Sequence, residues 1–149
     1  MTMAMSDSKV LAADGACKTF DASADGYGRG EGISVILIKR LEDAIKNNDT
    51  IRAVIRATNT NFDGKTPSIS APDVDKQESL IRSTYARAGI SKIDDTAFFE
   101  CHGTGTQVGD LVEVTAVARV LQDKHKSGEP TWIGSVKPNV GHTEGHALS

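Results

Sequence analysis

The chain has 149 residues, 38% of them hydrophobic, with a formal net charge of -3 and two cysteines. This size permits one ordinary domain with a moderate core, and the slight acidity excludes a nucleic-acid binder that works through a broad basic surface. No apolar run approaches the roughly 20 residues that span a bilayer, and Cys17 and Cys101 alone make no disulfide framework. The stretch from Met1 to Lys9 lacks the basic start and apolar centre of a secretory signal, so a cytoplasmic location away from membranes is expected.

In chain order, the first marked feature is Asp25-Gly26-Tyr27-Gly28-Arg29-Gly30-Glu31-Gly32, whose glycines predict a tight, shaped loop. Ile33 to Ile38 is nearly all apolar, the pattern of a strand buried on both faces. Leu41 and Ile45 predict a short helix over 39–46, stopped by Asn47-Asn48-Asp49. From Ile51 to Thr58 the alternation predicts a half-buried strand, ended by the turn Asn61-Phe62-Asp63-Gly64. Residues 66–72 read as a loop. Asp75 and Glu78 have the spacing of a capping box, opening a helix with Leu80, Ile81, Tyr85 and Ala88 on one stripe and Gly89 as its stop. Thr96 to Cys101 predicts a short buried strand, and Asp110 with Glu113 repeats the capping pattern for a helix running to about Lys124. Trp132 to Lys137 predicts the last strand. Strands alternating with helices indicate an α/β fold with a parallel component. The final residues from Gly141 open another helix within which the sequence stops, so a fragment of a larger domain is expected.

His102 and His142 each stand where a predicted strand gives way to a glycine-rich turn, and Lys137 precedes the second by five positions. Strand ends on a rigid scaffold can present side chains to a substrate, and such a pair could hold one carbonyl oxygen from two directions. Other readings are weaker. The Gly103-Thr104-Gly105 turn follows a strand and opens a helix, but Gly109 makes the dinucleotide pattern too long and no acidic residue ends the next strand. Cys101 and His102 are strand neighbours pointing to opposite faces, so they form no dyad, and Cys101 reads as a small buried hydrophobe. Cys17, in a polar loop, could be exposed, with nothing nearby in sequence to activate it. His142 and His146 lie four apart but lack further metal ligands, His125 reads as a solvated helix end, and no Gly-x-Ser-x-Gly elbow is present.

Three segments carry a family resemblance: Asp21 to Gly32, Glu100 to Thr106 with Gly109-Asp110, and Gly134 to His142. They resemble a β-ketoacyl synthase, most of all the ketosynthase domain of a type I polyketide synthase, over about residues 14–144. The resemblance implies a partial thiolase-like α/β fold, the end of its N-terminal half and the start of its C-terminal half. Residues 1–13 then form a poorly defined N-terminal segment and 14–149 a partial β-ketoacyl synthase domain.

The implied activity is acyltransfer with decarboxylative Claisen condensation of acyl and malonyl thioesters, in polyketide or fatty acid synthesis. The substrate would ride on the phosphopantetheine of an acyl carrier protein, with no cofactor or metal bound directly, and the parent would be a homodimer. By resemblance His102 and His142 engage the malonyl thioester, Lys137 supports the second histidine, and Thr104 and Thr106 bond the pantetheine amides. The family's cysteine-serine nucleophile motif is absent from this chain, Leu111 replaces a usual proline, and His146 is bulky where small residues are expected. The chain alone should therefore be inactive in condensation. The alternatives are a non-catalytic, ketosynthase-derived interaction module and, more weakly, a dinucleotide-binding oxidoreductase.

Overall fold

The computed structural model describes residues 10–66, 71–122 and 130–144. Its elements are α1 (Leu41–Lys46), α2 (Val74–Arg87), a 3-10 turn (Ile93–Asp95), β1 (Phe98–Glu100), α3 (Gln107–Gln122), β2 (Trp132–Gly134) and α4 (Lys137–Val140). β1 and β2 pair in parallel, with Phe98 opposite Trp132 and Glu100 opposite Gly134. Parallel neighbours need a long crossover, and α3 supplies it. The α/β architecture with a parallel component is as the alternation of elements indicated.

The core lies between this pair and the two long helices. Ile93, Cys101, Val117, Val120 and Leu121 are buried together, with Phe20, Ile81, Tyr85 and Phe99 packed against them. Ile81 and Tyr85 belong to the predicted stripe of α2, and the Tyr85 hydroxyl shares a 2.7 Å hydrogen bond with Thr96. α2 ends as expected, with Gly89 just beyond its cap at φ +66°. Its start differs from the expectation. Asp73, not Asp75, is the N-cap, accepting hydrogen bonds from the backbone N–H of Asp75 and Lys76. Asp75 instead reaches Arg119 of α3 at 2.8 Å.

The largest departure concerns the two apolar strands near the N-terminus. Residues 33–38 and 51–58 form no helix and join no ladder among the described residues. Ile33 is 92% and Leu37 97% exposed, the reverse of a strand buried on both faces. An apolar run becomes a strand only when neighbours satisfy its backbone groups. Here 51–61 lies beside α2 through side chains, Arg56 donating to the Ala88 carbonyl and Asn59 to the Ser83 hydroxyl. The final predicted strand is also shorter. It stops at Gly134, and Lys137–Val140 forms a helical turn with Pro138 in its first positions, where proline's missing N–H costs nothing.

Candidate active site

The turn after β1 is built by two acids of α3 reaching backwards. Glu113 accepts from the backbone N–H of His102 (2.5 Å) and Gly103 (2.8 Å), one carboxylate oxygen for each. Buried Asp110 accepts from the N–H of Gly105 (3.1 Å), Thr106 (3.3 Å) and Phe20 (2.8 Å). The Asp110 and Glu113 spacing was read as a capping box. Both residues lie inside the helix, yet they satisfy N–H groups of the turn before it, so the pattern marked the right contacts at a shifted position. Leu111 is 68% exposed in a helix already under way at Gln107, so its replacement of proline leaves the helix start in place.

His102 opens this turn. Its ring meets that of His142 edge to face, with centroids 5.3 Å apart at 88°. The two histidines singled out in sequence thus come together. His142 arrives there by a different route from the one expected: it follows α4 and Gly141 rather than a strand, and forms a parallel bridge with Arg29. In that bridge the His142 N–H donates to the Gly28 carbonyl (2.7 Å) and the Gly30 N–H to the His142 carbonyl (2.9 Å). Glycine is required at this crossing. A Cβ on Gly30 would collide with the Val140 carbonyl oxygen, and one on Gly141 would lie 2.8 Å from the Gly30 nitrogen. The predicted shaped loop is therefore a cradle for the second histidine.

Lys137, buried on α4, lies close enough to act electrostatically on both rings. His102 keeps solvent access, but the atoms around it strip part of its hydration. That desolvation and then the Lys137 charge hold its pKa below the usual histidine value, against a smaller opposing pull from Asp110. Desolvation, His102 and Lys137 likewise lower His142, with Glu144 opposing. The His142 Nδ1 accepts a hydrogen bond from the Glu144 N–H at 3.1 Å. A neutral imidazole with an acceptor at Nδ1 carries its proton on Nε2, so His142 is a Nε2–H donor.

A cavity of ≈ 790 Å³ is lined by His102, Thr104, Thr106 and Lys137, and by Gly141 and Thr143, the chain neighbours of His142. Thr104 and Thr106 share a hydrogen bond between their hydroxyls (3.3 Å). Cys101 is buried with the core cluster while His102 is exposed, although both border the cavity, and burial, with Glu113 and Glu100 next, pushes the Cys101 thiol up to about 12. Cys17 corrects the expectation of an exposed thiol. It is 5% exposed, accepts from the Gly28 N–H (3.2 Å) and faces the Gly28 carbonyl, so it is part of the loop's scaffold. His125 and His146 lie outside the described residues.

The family model described as "Beta-ketoacyl synthase, C-terminal domain" matches residues 52–147, and that for the N-terminal domain matches 1–44. The chain belongs to the β-ketoacyl synthase family. It is 56% identical over 145 residues to the highly reducing polyketide synthase VdtX of Byssochlamys spectabilis, covering 97% of this chain and 6% of that protein. It is 54% identical over 149 residues to the partially reducing polyketide synthase tpeA of Talaromyces stipitatus, again covering 6% of that protein. Among solved structures, the ketosynthase from module 6 of the Bacillus subtilis bacillaene synthase superposes with a TM-score of 0.88 at 41% identity, covering 95% of this chain and 25% of that one. The oxazolomycin ketosynthase domain OzmH KS7 of a Streptomyces albus strain gives 0.87 at 36% identity, covering 94% of this chain and 24% of that one. The β-ketoacyl synthase chain thus has part of a thiolase-like fold, and it spans about one-twentieth of its curated relatives.

Sequence reasoning passed over Tyr27, Arg29 and Glu144 as site residues. Glu144 follows His142 by two positions, and only the fold brings it to residues more than a hundred positions earlier.

Proposed function

We propose that residues 14–149 are the malonyl-handling part of a ketosynthase that extends polyketide chains by decarboxylative condensation. The observation that supports this best is the edge-to-face pair of His102 and His142 beside buried Lys137, with His102 and Lys137 lining one cavity. The substrate would be a malonyl or substituted malonyl thioester on the phosphopantetheine of an acyl carrier protein, and the condensing parent a homodimer. Decarboxylation breaks the bond between the α-carbon and the carboxylate, carbon dioxide leaves, and the electron pair moves into the thioester carbonyl as an enolate. His102 and His142 would donate to that oxygen as neutral imidazoles, kept neutral in part by Lys137. One aimed donor is worth about 2.7–4 kcal/mol to such a barrier. The enolate carbon then attacks an acyl thioester on a cysteine that this sequence does not contain, forming the carbon–carbon bond as the acyl C–S bond breaks and the cysteine thiolate leaves. Thr104 and Thr106 would bond the amides of the pantetheine arm.

The test is a chimera in which these 149 residues replace the matching segment of an active ketosynthase. The chimera should decarboxylate malonyl thioesters, and His102→Ala or His142→Ala should slow it by about 100-fold or more. Undiminished decarboxylation in both variants would remove the histidines from the chemistry.

A second reading, a non-catalytic interaction module, is favoured by the near-complete exposure of Ile33, Val35 and Leu37. An exposed apolar segment outside any ladder is a candidate for pairing with another chain.

A further inference from the structure

We propose that Glu144 is a positioning residue for His142, held in place by a clamp of Arg29 and Tyr27 from the glycine-rich loop. The inference rests on the ketosynthase reading in one respect, that His142 has to act as a Nε2–H donor.

Glu144 is in the left-handed region at φ +54°. For a residue with a Cβ that conformation is unfavourable, and it persists only where surroundings enforce it. The surroundings are specific. One carboxylate oxygen accepts from the Arg29 guanidinium at 2.9 Å, and the other accepts from the Tyr27 hydroxyl at 3.3 Å. The opposite end of the residue, its N–H, donates to His142 Nδ1 at 3.1 Å. Glu144 is thus pulled by its side chain toward the loop and by its amide toward the imidazole, and the left-handed backbone is the shape that satisfies both.

Tyr27 has a second part in the clamp. Its ring packs edge-on against His142, centroids 5.0 Å apart at 66°, while its hydroxyl holds Glu144. Arg29 is joined to His142 by the backbone bridge as well as through Glu144. Each clamp residue therefore contacts both the histidine segment and the carboxylate. An Arg–Glu pair on a surface adds little stability by itself, whereas here it orients an amide that selects a tautomer. Losing the clamp should free that amide, after which Nδ1 can carry the proton and the donor at Nε2 is lost for part of the population.

The experiment uses the 149-residue chain with ¹⁵N-labelled histidine at about pH 8, above the ordinary histidine pKa. The wild type should show His142 as the single Nε2–H tautomer. Arg29→Met and Glu144→Gly should each give the mixture of tautomers found in free imidazole and speed exchange of the residue-144 amide by about tenfold or more. Glycine at 144 accepts the left-handed backbone freely, so backbone shape alone would preserve the tautomer in that variant. Glu144→Gln, which keeps an acceptor, should restore most of the wild-type signal. The double variant should look no worse than either single one, since both break one clamp, and the His102 signals should stay unchanged. Tyr27→Phe removes only a hydroxyl and leaves the ring, so it decides the matter should the other variants unfold: faster exchange at 144 is then required. Retention of the single tautomer and slow exchange throughout, or additive effects in the double variant, would overturn the proposal. Because no step of this measurement needs catalysis, an inactive chimera would leave the clamp standing, and an unclamped Glu144 would leave the ketosynthase reading standing.

Discussion

At the residue scale the two histidines are defined by their surroundings. Both have pKa values lowered in the folded chain, His102 by desolvation then Lys137, His142 by desolvation then His102 and Lys137. A lowered histidine pKa means that the unfolded chain binds protons first as the pH falls. The stability linked to neutral His102 and His142 is therefore fully present above about pH 6.5 and is lost as the pH drops through their lower folded-state values. Urea midpoints should fall across that window, and the slope of the fall should be shallower in His142→Asn than in the wild type. An equal slope would mean that His142 is not coupled to folding. The acids show how far residue type was legible. Asp110 and Glu113 stood out in sequence by their spacing, but that five backbone N–H groups converge on them depends on where Phe20 and the turn are placed.

At the element scale, long helices were read well and strands poorly. The α2 stripe and its Gly89 stop follow from neighbours along the chain, so local sequence suffices to specify them. The α2 cap was misplaced by two residues because Asp73 and Asp75 are equally good capping types, and only the geometry selects Asp73. Asp73→Ala should cost about 1 kcal/mol, while Asp75→Ala, which loses only an exposed ion pair, should cost about 0.5 kcal/mol or less. Chemical denaturation of the two variants distinguishes the assignments, and a larger loss at Asp75 would restore the sequence reading. Residues 33–38 fail for the opposite reason. Their apolar run states a demand for burial, and no described neighbour meets it.

At the scale of the whole molecule, an intact site wall coexists with unmet surface. Leu37→Lys should lower concentration-dependent association, seen by light scattering, with little change in melting temperature, because that side chain is 97% exposed. Association that the substitution leaves unchanged would remove the segment from the contact. Both cysteines are buried, and Cys101 has its thiol raised to about 12. Thioesterification requires a thiolate within reach of the acyl group. Incubation with acyl thioesters should accordingly leave the intact mass of the chain unchanged, and a stoichiometric adduct on Cys17 or Cys101 would contradict this.

By itself the sequence determined the family, the α/β class, the long helices and the histidines and lysine of the candidate site. Each depends on local pattern or on motifs whose residues are adjacent in the chain. The tertiary structure decided which histidine nitrogen carries the proton, which acids hold the turn, why Gly30 and Gly141 tolerate no side chain, and which apolar runs go uncovered. Those depend on contacts between residues as far apart as Arg29 and Glu144, and such contacts exist only once the chain has folded.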